Sequence, residues 1–490
     1  MEKTFDIVVV GTGIGSSEFL RSLDFSKRSN VAVIEVGGER ASKEVRYVSS
    51  GREFGLRSTT AYRTGGTSNL WHGVLSPMDP IDFERDGKLL WPIAYSEYFD
   101  WAKRAAKKLG VSQPETYEYS RFVNDYSTEL EKLNIGFDVV KPKCFYQPLP
   151  AHNYSSDIKR LIKKGLITYF PNSCALELII DADKVIGVKY GTSSGEVRQI
   201  YADTVVVGTG ALESPRLLLN SGIKNDHLGR GLMDHPMANL CQIEFKEKSK
   251  AYLYSAMKIK SDLVIKSGLV FSEEVQKEFD LPNHCFYLRP SFSKGIDNKS
   301  EKVKLSLLAI KDLKISFKDI WFLVTNINLA LQVLLYKTSY KATFRYADLF
   351  FVSEQRTYND SFVGLSDDLD KWGYRRALVN WKVSKEDSQS IVKAYKILKE
   401  HVFTEDKFVF THELDDLNWD GNYTSAAHHV GTCRMAKNAN EGVVDSNLKV
   451  FGFDNLFICD GSVFPTAGNV NNGLTIAALA MRLANHIDNL

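Results

Sequence analysis

Two valine-rich apolar runs near the start of the chain predict a pair of buried strands. The first spans Asp6 to Val10 and the second spans Val31 to Val36, with a helical pattern through Leu23 between them. Continuous apolar runs of this length are typical of parallel strands that are covered on both faces. The order strand, helix, strand therefore indicates a doubly wound α/β unit.

The region from about 240 to 425 has a pattern that does not fit this unit. Apolar, β-branched stretches at 347–353, 361–365 and 377–383 predict antiparallel strands, and an amphipathic helix is predicted over about 386–401. We expect these strands to form a substrate-side sheet that acts as a roof over the first unit.

A strongly apolar stretch from Ile320 to Tyr336 also lies in this region, with lysines around it at positions 311, 314, 318, 337 and 341. Polar residues at 325, 326, 328 and 332 interrupt it, and it is too short and too polar to span a bilayer comfortably. Two interpretations stay open. Residues 315–341 contact an anionic membrane surface or form a lid for a lipid-linked substrate, or they pack as an amphipathic helix on the domain or on a second subunit.

Composition narrows the function classes without choosing one. The chain has 490 residues, 44% of them hydrophobic and 25% charged, and this length favours two domains. A net charge of +2 without an arginine-rich patch does not indicate a nucleic-acid partner. Six scattered cysteines without a Cys-x-x-Cys pair argue against a metal site and a disulfide framework. They favour a reducing compartment, and because only five residues precede Asp6 we expect no signal peptide and a cytoplasmic location.

The turn after the first strand, Gly11-Thr-Gly13-Ile14-Gly15-Ser16, has the pattern of a dinucleotide-binding site. The first glycine allows a tight turn, the second lets a pyrophosphate approach the backbone, and the next helix points its free N–H groups at the phosphates. Ser16 stands where the strict pattern has glycine, which is a minor departure for so small a side chain. Glu35, at the end of the second strand, is predicted to accept hydrogen bonds from the adenosine ribose, as in FAD or NAD.

Further motifs follow in order along the chain, and each is quoted as it stands: Arg63-Thr-Gly65-Gly66-Thr-Ser-Asn69-Leu70-Trp71-His72-Gly73, Asp79-Pro-Ile-Asp82-Phe83, Thr204-Val-Val-Val-Gly208-Thr-Gly210, Leu228-Gly-Arg230-Gly-Leu-Met233-Asp234-His235-Pro236, His428-His429-Val-Gly-Thr432-Cys-Arg-Met435, Asp460-Gly-Ser and Asn471-Asn472-Gly473-Leu474-Thr475. With these motifs the chain resembles the glucose–methanol–choline (GMC) family, FAD enzymes that oxidise alcohols. It is most similar to the branch with pyranose oxidase and bacterial fructose dehydrogenase-like enzymes, whose second catalytic residue is asparagine.

The resemblance implies an α/β fold: an FAD-binding, Rossmann-like doubly wound domain, of the kind shared with p-hydroxybenzoate hydroxylase, and a substrate domain built on an antiparallel sheet plus helices. The implied FAD-binding domain is discontinuous, comprising residues 1–75, 150–240 and 425–490. The implied substrate or cap domain comprises 76–149 and 241–424.

The resemblance also implies a catalytic pair, His428 as the base and Asn471 as its partner. His429 and Asn472 are the adjacent alternatives, and because neighbouring side chains on an extended segment face opposite ways, only one histidine can face the flavin. The implied cofactor-binding residues are Gly11, Gly13, Ile14, Gly15, Glu35, Gly65, Gly66, Asn69, Leu70, Trp71, His72, Gly208, Asp460, Asn472, Gly473 and Leu474. Covalently flavinylated members carry their linking histidine at the position of Leu70, so the FAD is predicted to be noncovalent.

Alcohol oxidation of this kind needs a hydride acceptor and a base for the hydroxyl proton. Histidine suits the base because its ordinary pKa, near 6.5, leaves it neutral at physiological pH. Asn471 is expected to hold the hydroxyl oxygen, and the last helix to point its N-terminus at the flavin N1 and C2 carbonyl. The alternative role for Asn471 and Asn472 is to cap that helix.

We therefore predict a GMC-type FAD-dependent dehydrogenase, or an oxidase, that acts on the CH–OH group of a sugar, polyol or saccharide. The predicted electron acceptor is a quinone, a carrier protein or oxygen. Two alternatives stay open, a flavin-containing lyase of the same fold and a noncatalytic flavoprotein. An NAD-dependent enzyme is disfavoured by the motifs around Gly65 and Gly208. The predicted location is the cytoplasm, with peripheral contact at the inner face of the membrane as one interpretation of residues 315–341.

Overall fold

The computed structural model describes residues 4–42, 47–54, 59–111, 138–249, 256–260, 262–295, 299–311, 315–339, 344–413 and 423–490. Within these residues the strands are β1 (Thr4–Val10), β2 (Val31–Ile34), β3 (Tyr47–Ser49), β4 (Glu84–Arg85), β5 (Lys88–Leu89), β6 (Val140–Pro148), β7 (Thr168–Phe170), β8 (Ser173–Asp181), β9 (Lys184–Thr192), β10 (Val197–Val207), β11 (Pro236–Ser249), β12 (Ala256–Lys260), β13 (Leu263–Phe271), β14 (Cys285–Ser291), β15 (Phe344–Val352), β16 (Phe362–Leu369), β17 (Arg375–Asn380), β18 (Phe408–Glu413), β19 (Thr424–Ser425) and β20 (Leu456–Ile458).

The helices in the same residues are α1 (Ile14–Ser22), α2 (Pro80–Phe83), α3 (Tyr95–Lys108), α4 (Tyr154–Lys163), α5 (Glu213–Asn220), α6 (Glu273–Phe279), α7 (Lys299–Lys311), α8 (Phe317–Thr325), α9 (Ile327–Ser339), α10 (Lys385–Ile397) and α11 (Gly473–Asp488). Two short 3₁₀ turns, Gly66–Asn69 and Gly461–Val463, lie beside the candidate site, and a π-helical turn, Leu398–Val402, extends α10.

The nucleotide-type unit is a seven-stranded sheet in the order β7-β2-β1-β10-β9-β8, with β20 paired to β10. Strands β7, β2, β1, β10 and β20 are parallel, whereas β8 and β9 form an antiparallel extension. Val8, Val9 and Val10 of β1 are fully or almost fully buried, as a continuous apolar run in a covered parallel strand requires. Helices α1 and α3 both pack against α11. The predicted strand–helix–strand start of the chain is confirmed.

The substrate-side unit is an eight-stranded sheet in the order β12-β13-β14-β15-β11-β18, with β6 paired to β13 and β19 paired to β11. Every pair within it is antiparallel. Strand β11 begins at Pro236, directly after His235, so one end of this sheet opens onto the candidate site. The α/β fold with an antiparallel substrate-side sheet is confirmed, and the exact domain boundaries stay a prediction.

The predicted stretches at 361–365 and 377–383 do form strands, but they do not join this sheet. They become β16 and β17, which form a separate three-stranded sheet with β3. β16 and β17 pair with each other across a short turn, and only their third strand, β3, comes from far along the chain. Alternation of apolar residues carries no information about which sheet a strand joins. The predicted helix over 386–401 is confirmed as α10 with its π-helical extension.

The apolar stretch at 320–336 is not one helix, as its pattern suggested, but two. Helices α8 and α9 meet at Asn326. Asn326 leaves the helical conformation there, with a φ of −121° and a ψ of 36°. The carbonyl oxygen of Phe322 accepts from the N–H of Asn326 and also from the side chains of Thr325 and Asn326. Residues 340 and 341 of the predicted segment lie outside the described residues. In the described part of the chain no single helix has the length and apolarity to cross a membrane, although α8 and 327–336 together reach that length and composition across a bend of 93°.

Candidate active site

His428 lies where the C-terminal loop meets the start of β11, and both nitrogens of its ring are hydrogen-bonded. The Nδ1 atom is 2.9 Å from Nδ1 of His235, and the Nε2 atom is 3.0 Å from Nδ2 of Asn471. The structure thus brings together the two residues predicted as the catalytic pair, although they are 43 positions apart.

The hydrogen bonds assign the proton positions of the His235–His428 pair. Nε2 of His235 lies 3.2 Å from the carbonyl oxygen of Ala467, so this nitrogen must donate. Burial lowers the pKa of His235, which keeps its ring neutral with a single proton. Its Nδ1 must then accept from Nδ1 of His428. Nε2 of His428 is consequently left with a lone pair, the form that a general base needs.

The pKa of His428 is held well below its usual value. Burial is the main cause, and the neighbouring rings of His235 and His429 add to it. The imidazole is therefore neutral at physiological pH and does not need to lose a proton before it can accept one.

Asp234 fixes the backbone that carries His428. Its Oδ1 atom accepts from the backbone N–H groups of His235 and His428, at 2.6 and 3.0 Å. Ser425 Oγ donates to the other oxygen of Asp234 and accepts from the N–H of Ala427. Ala427 has a φ of +62°, a left-handed conformation that costs a residue with a Cβ roughly 1–3 kcal/mol. The hydrogen bonds of Asp234 offset that strain and orient the His428 side chain.

His429 faces away from Asn471. Its ring packs on Phe54 with a centroid separation of 4.2 Å, and its Nε2 lies 3.5 Å from Oδ2 of Asp234. Burial lowers the pKa of this histidine too, while Asp234 opposes the shift. The arrangement agrees with a packed neighbour, and the catalytic assignment of His428 stays a prediction.

Asn471 and Asn472 do not cap the last helix with their side chains. Nδ2 of Asn471 faces His428 Nε2, and Nδ2 of Asn472 donates to the carbonyl oxygen of His428 at 2.8 Å. Asn472 occupies the N-cap position of α11 without a side-chain cap bond, so the capping alternative is wrong for both residues in this structure. The two amides instead hold His428 in place, the Asn471 amide at the ring and the Asn472 amide at the backbone carbonyl.

Glycines form the floor of the candidate dinucleotide site by close backbone contact. Gly11 has a φ of +92°, as the tight first turn requires. A Cβ on Gly66 would lie 2.9 Å from the Cα of Gly13, and one on Gly15 would lie within bonding distance of the Cys459 carbonyl oxygen. The motifs around residues 13, 66 and 459 are therefore one contiguous surface, and larger residues at these positions would separate them.

Ser16, which replaces the glycine of the strict pattern, is accommodated by a glycine on the facing segment. Its side chain is fully buried, and its Oγ is 3.4 Å from the carbonyl oxygen of Gly208. A Cβ on Gly208 would lie 2.0 Å from that Oγ. The serine therefore fits because the residue directly after the facing strand β10 is a glycine, which is a second reason for Gly208 at this position.

Two predicted acidic residues are held by protein donors. Glu35 accepts from the N–H and Oγ1 of Thr12, at 2.9 and 2.6 Å, and from the N–H of Gly37. Asp460 accepts from the N–H groups of Gly210 and Ser462 and from Ser214 Oγ. Both carboxylates lie at the floor of the site, where they order the turns that would contact a dinucleotide. Their direct contacts with a cofactor stay predictions.

The residues from the second motif differ in their surroundings. Gly65 donates its N–H to Thr12 Oγ1, Asn69 donates to the carbonyl oxygens of Thr64 and Gly66, and Trp71 donates to the carbonyl oxygen of His152. Leu70 is 45% exposed, and His72 is also exposed. Gly473 and Leu474 are buried at the start of α11, and a Cβ on Gly473 would lie 2.8 Å from the Trp71 ring.

These observations test whether the residues fit FAD. Among the described residues, the first turns of α1 and α11 have no side-chain cap, so their N–H groups are available to a phosphate or a ring carbonyl. Oδ1 of Asn472 is buried there without a protein partner. A glycine-lined floor with two uncapped helix N-termini has the donor set that the pyrophosphate and the flavin ring require, and the residues fit the cofactor.

Two functional candidates, Asp234 and His235, were quoted within a motif but given no role from the sequence. Both contact His428 across more than 190 positions, and no local spacing indicates such a contact. The only signal was their place in the Asp-His-Pro motif, which marks the residues without showing what they touch.

Comparisons with known proteins agree with this geometry. Two family models described as GMC oxidoreductase match the chain, one over residues 168–237 and the other over residues 357–480. The long-chain-alcohol oxidase FAO4B of Arabidopsis thaliana is 24% identical over 325 residues, which are 62% of this chain and 38% of that protein. The C-glycoside 3-oxidase of Microbacterium trichothecenolyticum is 27% identical over 332 residues, which are 65% and 53% of the two chains. The matches thus span about half or less of these curated relatives.

The crystal structure of pyridoxine 4-oxidase from Mesorbium loti shares the fold over the whole chain. Its TM-score is 0.59 at 16% sequence identity, with 99% of this chain and 100% of that chain covered. The shared architecture is a dinucleotide-type sheet and an antiparallel roof, and in this chain a histidine and an asparagine meet between them. The chain belongs to the GMC oxidoreductase family, whose flavoproteins use FAD.

Proposed function

We propose that this protein oxidises the CH–OH group of an alcohol with FAD as the hydride acceptor. The observation that carries the proposal is the neutral His428, whose Nε2 lone pair is fixed by His235 and faces the Asn471 amide. A base and an amide donor at a separation of 3.0 Å are the two groups that one hydroxyl needs.

The residues act on the substrate hydroxyl in a defined way. When the hydroxyl enters between the two side chains, its O–H donates to Nε2 of His428 and its oxygen accepts from Nδ2 of Asn471. His428 then takes the proton, and the amide holds the oxygen while negative charge develops on it. Removal of the proton makes the neighbouring C–H a better hydride donor. The protonated ring keeps Nδ1–H donated to His235.

FAD, when bound, supplies the flavin ring that accepts the hydride. The floor glycines and the first turns of α1 and α11 would hold it, with Glu35 and Asp460 ordering the adjacent turns. The proposal includes noncovalent binding, because the candidate linking position holds Leu70. Acid precipitation is expected to release all FAD into the supernatant. Yellow colour that stays in the protein pellet would contradict noncovalent binding.

The proposed substrate is a sugar, a polyol or a saccharide unit, and the proposed acceptor is a quinone, a carrier protein or oxygen. A 27% identical relative named C-glycoside 3-oxidase supports a carbohydrate, and the pyranose oxidase-like branch agrees with asparagine at position 471. The long-chain-alcohol oxidase relatives make aliphatic alcohols the main comparison class. The proposed location is the cytoplasm, supported by six cysteines that are free and buried.

The test is anaerobic titration of the FAD-loaded protein while flavin absorbance is followed. Sugars, sugar alcohols, aryl alcohols and aliphatic alcohols are added in turn. Bleaching by the carbohydrate class supports the whole proposal, and admission of air then separates an oxidase from a dehydrogenase. Bleaching by aliphatic alcohols alone would retain the reaction and overturn the substrate class. A flavin that no alcohol bleaches, with C–C cleavage of a hydroxynitrile, would replace oxidation by the lyase alternative.

A further inference from the structure

Exposed apolar side chains are concentrated in one part of the molecule. Of the twenty large apolar side chains that are exposed among the described residues, eleven lie between positions 305 and 335. Phe317 is 83% exposed and Trp321 is 65% exposed. Single exposed apolar residues are ordinary, whereas a contiguous group marks a surface that is covered by something else.

This group belongs to the helices α7, α8 and α9, which we call the three-helix unit. Their own core is small and consists of Val303, Ala330 and Val333, with partly buried neighbours such as Phe322. A capping box of Ser316 and Asp319 starts α8 with Phe317 pointing to solvent. Because so few apolar residues are used inside the unit, the outward faces of its helices remain apolar: Leu305, Leu308, Ile310, Phe317, Ile320, Trp321, Val324, Ile327, Leu331, Leu334 and Leu335.

The charge of the segment indicates the kind of partner. Residues 299–341 contain eight lysines, no arginine and three acidic residues. Lys299 and Lys318 are exposed, and Lys302 holds its Nζ 4.4 Å from the centroid of the ring of Phe322, a partly buried neighbour of the small core. An apolar face with lysines at its edge is complementary to an anionic lipid surface, since the rings enter the headgroup region while the ammonium groups stay with the phosphates.

A second copy of the chain fits this surface less well. A symmetric dimer would place the same patch on both partners and bring the lysines of one face against those of the other. A spanning arrangement also fits poorly, because the helices have 9 and 13 residues and the bend between them is 93°. Two short helices in an L-shape can both lie in the plane of an interface.

The position of the three-helix unit separates it from the candidate active site. Strand β14 begins at Cys285, opposite Val352, and runs away to Ser291 before the helices start. Strand β15 returns from Phe344 to Val352, which also pairs with Met237 two residues after His235. The unit therefore lies at the far end of the sheet, about 27 Å along a nine-residue strand. It is placed as an anchor and not as a lid over His428.

We propose that the three-helix unit docks the protein peripherally on an anionic membrane, with the reaction centre held away from the lipid. This proposal does not depend on the chemistry at His428. The test uses the FAD-loaded full chain and two kinds of vesicle, phosphatidylcholine alone and phosphatidylcholine mixed with phosphatidylglycerol. We expect at least about tenfold more protein to sediment with the anionic vesicles, and salt to weaken the binding.

Variants localise the contact. Phe317→Glu combined with Trp321→Glu is expected to reduce vesicle binding at least about tenfold, because carboxylates replace the two most exposed rings. The matched control, Val197→Glu combined with Leu369→Glu, alters two other exposed apolar side chains, 47% and 53% exposed, that lie outside the three-helix unit. It should bind as the unaltered protein does. FAD content and unfolding temperature, measured on every variant, confirm that the fold is retained.

A fluorescence measurement supplies a second, independent readout. Brominated lipid in the anionic vesicles is expected to quench the unaltered protein, and Trp321→Phe should sediment normally while losing most of that quenching. The proposal is overturned if no vesicle binds the protein at low salt, or if the double glutamate variant binds unchanged. The proposal is equally overturned by a different set of results. In these, sedimentation velocity shows that the unaltered protein is a dimer, the double glutamate variant dissociates that dimer, and vesicles do not bind it.

Discussion

The two ends of the eight-stranded sheet differ in where they place polar and apolar side chains. At the end where β11 begins, polar side chains that are buried or partly buried are connected: Asp234 holds two backbone N–H groups, and His235, His428 and Asn471 form one chain of hydrogen bonds. At the other end, the three-helix unit leaves apolar side chains such as Phe317 and Trp321 in solvent. Buried polarity is costly unless it is satisfied, and exposed apolarity is costly unless it is covered. The polar side chains named at the first end therefore find partners within the protein, whereas the apolar side chains at the second end need an outside surface to cover them.

The largest expected effect comes from removing the base at the polar end. His428→Ala should slow anaerobic flavin reduction by at least about 100-fold while FAD stays bound, because general-base help is typically worth two to four powers of ten. The matched control is His429→Ala, which loses a ring packed on Phe54 and should change the rate less than about tenfold. Stopped-flow reduction of both variants makes the comparison, and a normal rate in His428→Ala would show that this end does not hold the base.

The next effect tests whether His235 positions the base. His235→Leu removes the acceptor for Nδ1–H of His428, so the ring can place its proton on Nε2 instead, and reduction should slow about 10-fold or more. His235→Asn keeps an oxygen acceptor and should recover part of the rate. The pH profile separates positioning from a purely structural loss, because only the leucine variant should shift the acid limb. Equal rates and equal profiles in both variants would remove His235 from the account.

A smaller effect concerns the stability of the polar end. Asp82 is fully buried beneath the loop that leads to Asn471, and Thr466 Oγ1 donates to its carbonyl oxygen. Burial, then Glu354 and Asp79, raise the pKa of Asp82 to about 7 from an ordinary 3.8. The folded state thus keeps a proton that the unfolded chain loses, and the free energy of unfolding falls as the pH rises from about 4 to about 7.

Asp82→Asn should flatten this fall, because the amide does not titrate. Urea unfolding at several pH values in that window measures it. Asp100→Asn is the control, since Asp100 is on the surface and its pKa is lowered, chiefly by a hydrogen bond with Lys103. The pH dependence of the control should match that of the unaltered protein. An unchanged slope in Asp82→Asn would mean that this carboxyl is ionised in the fold.

The sequence also predicted the two ends of the eight-stranded sheet to different extents. The first strand, the glycine turn and the start of α11 follow from local patterns, and the predicted His428–Asn471 pair does meet in space. His235 was not assigned because its contact with His428 spans 193 positions. The sheet of β16 and β17 was misplaced because alternation does not specify a neighbour. At the far end, Thr325 and Asn326 were noted as interruptions, but the non-helical backbone of Asn326 and the 93° bend between α8 and α9 required the structure.

The most direct test of the central claim is the pH dependence of anaerobic flavin reduction in the unaltered protein and in His428→Ala. Burial lowers the pKa of His428, so its neutral form should persist below pH 6.5, the ordinary value for histidine. The account predicts a rate that is flat at neutral pH and falls along an acid limb below pH 6.5. In His428→Ala, that limb should be absent and the residual rate at least about 100-fold lower. The same limb in both proteins would show that a different group takes the hydroxyl proton.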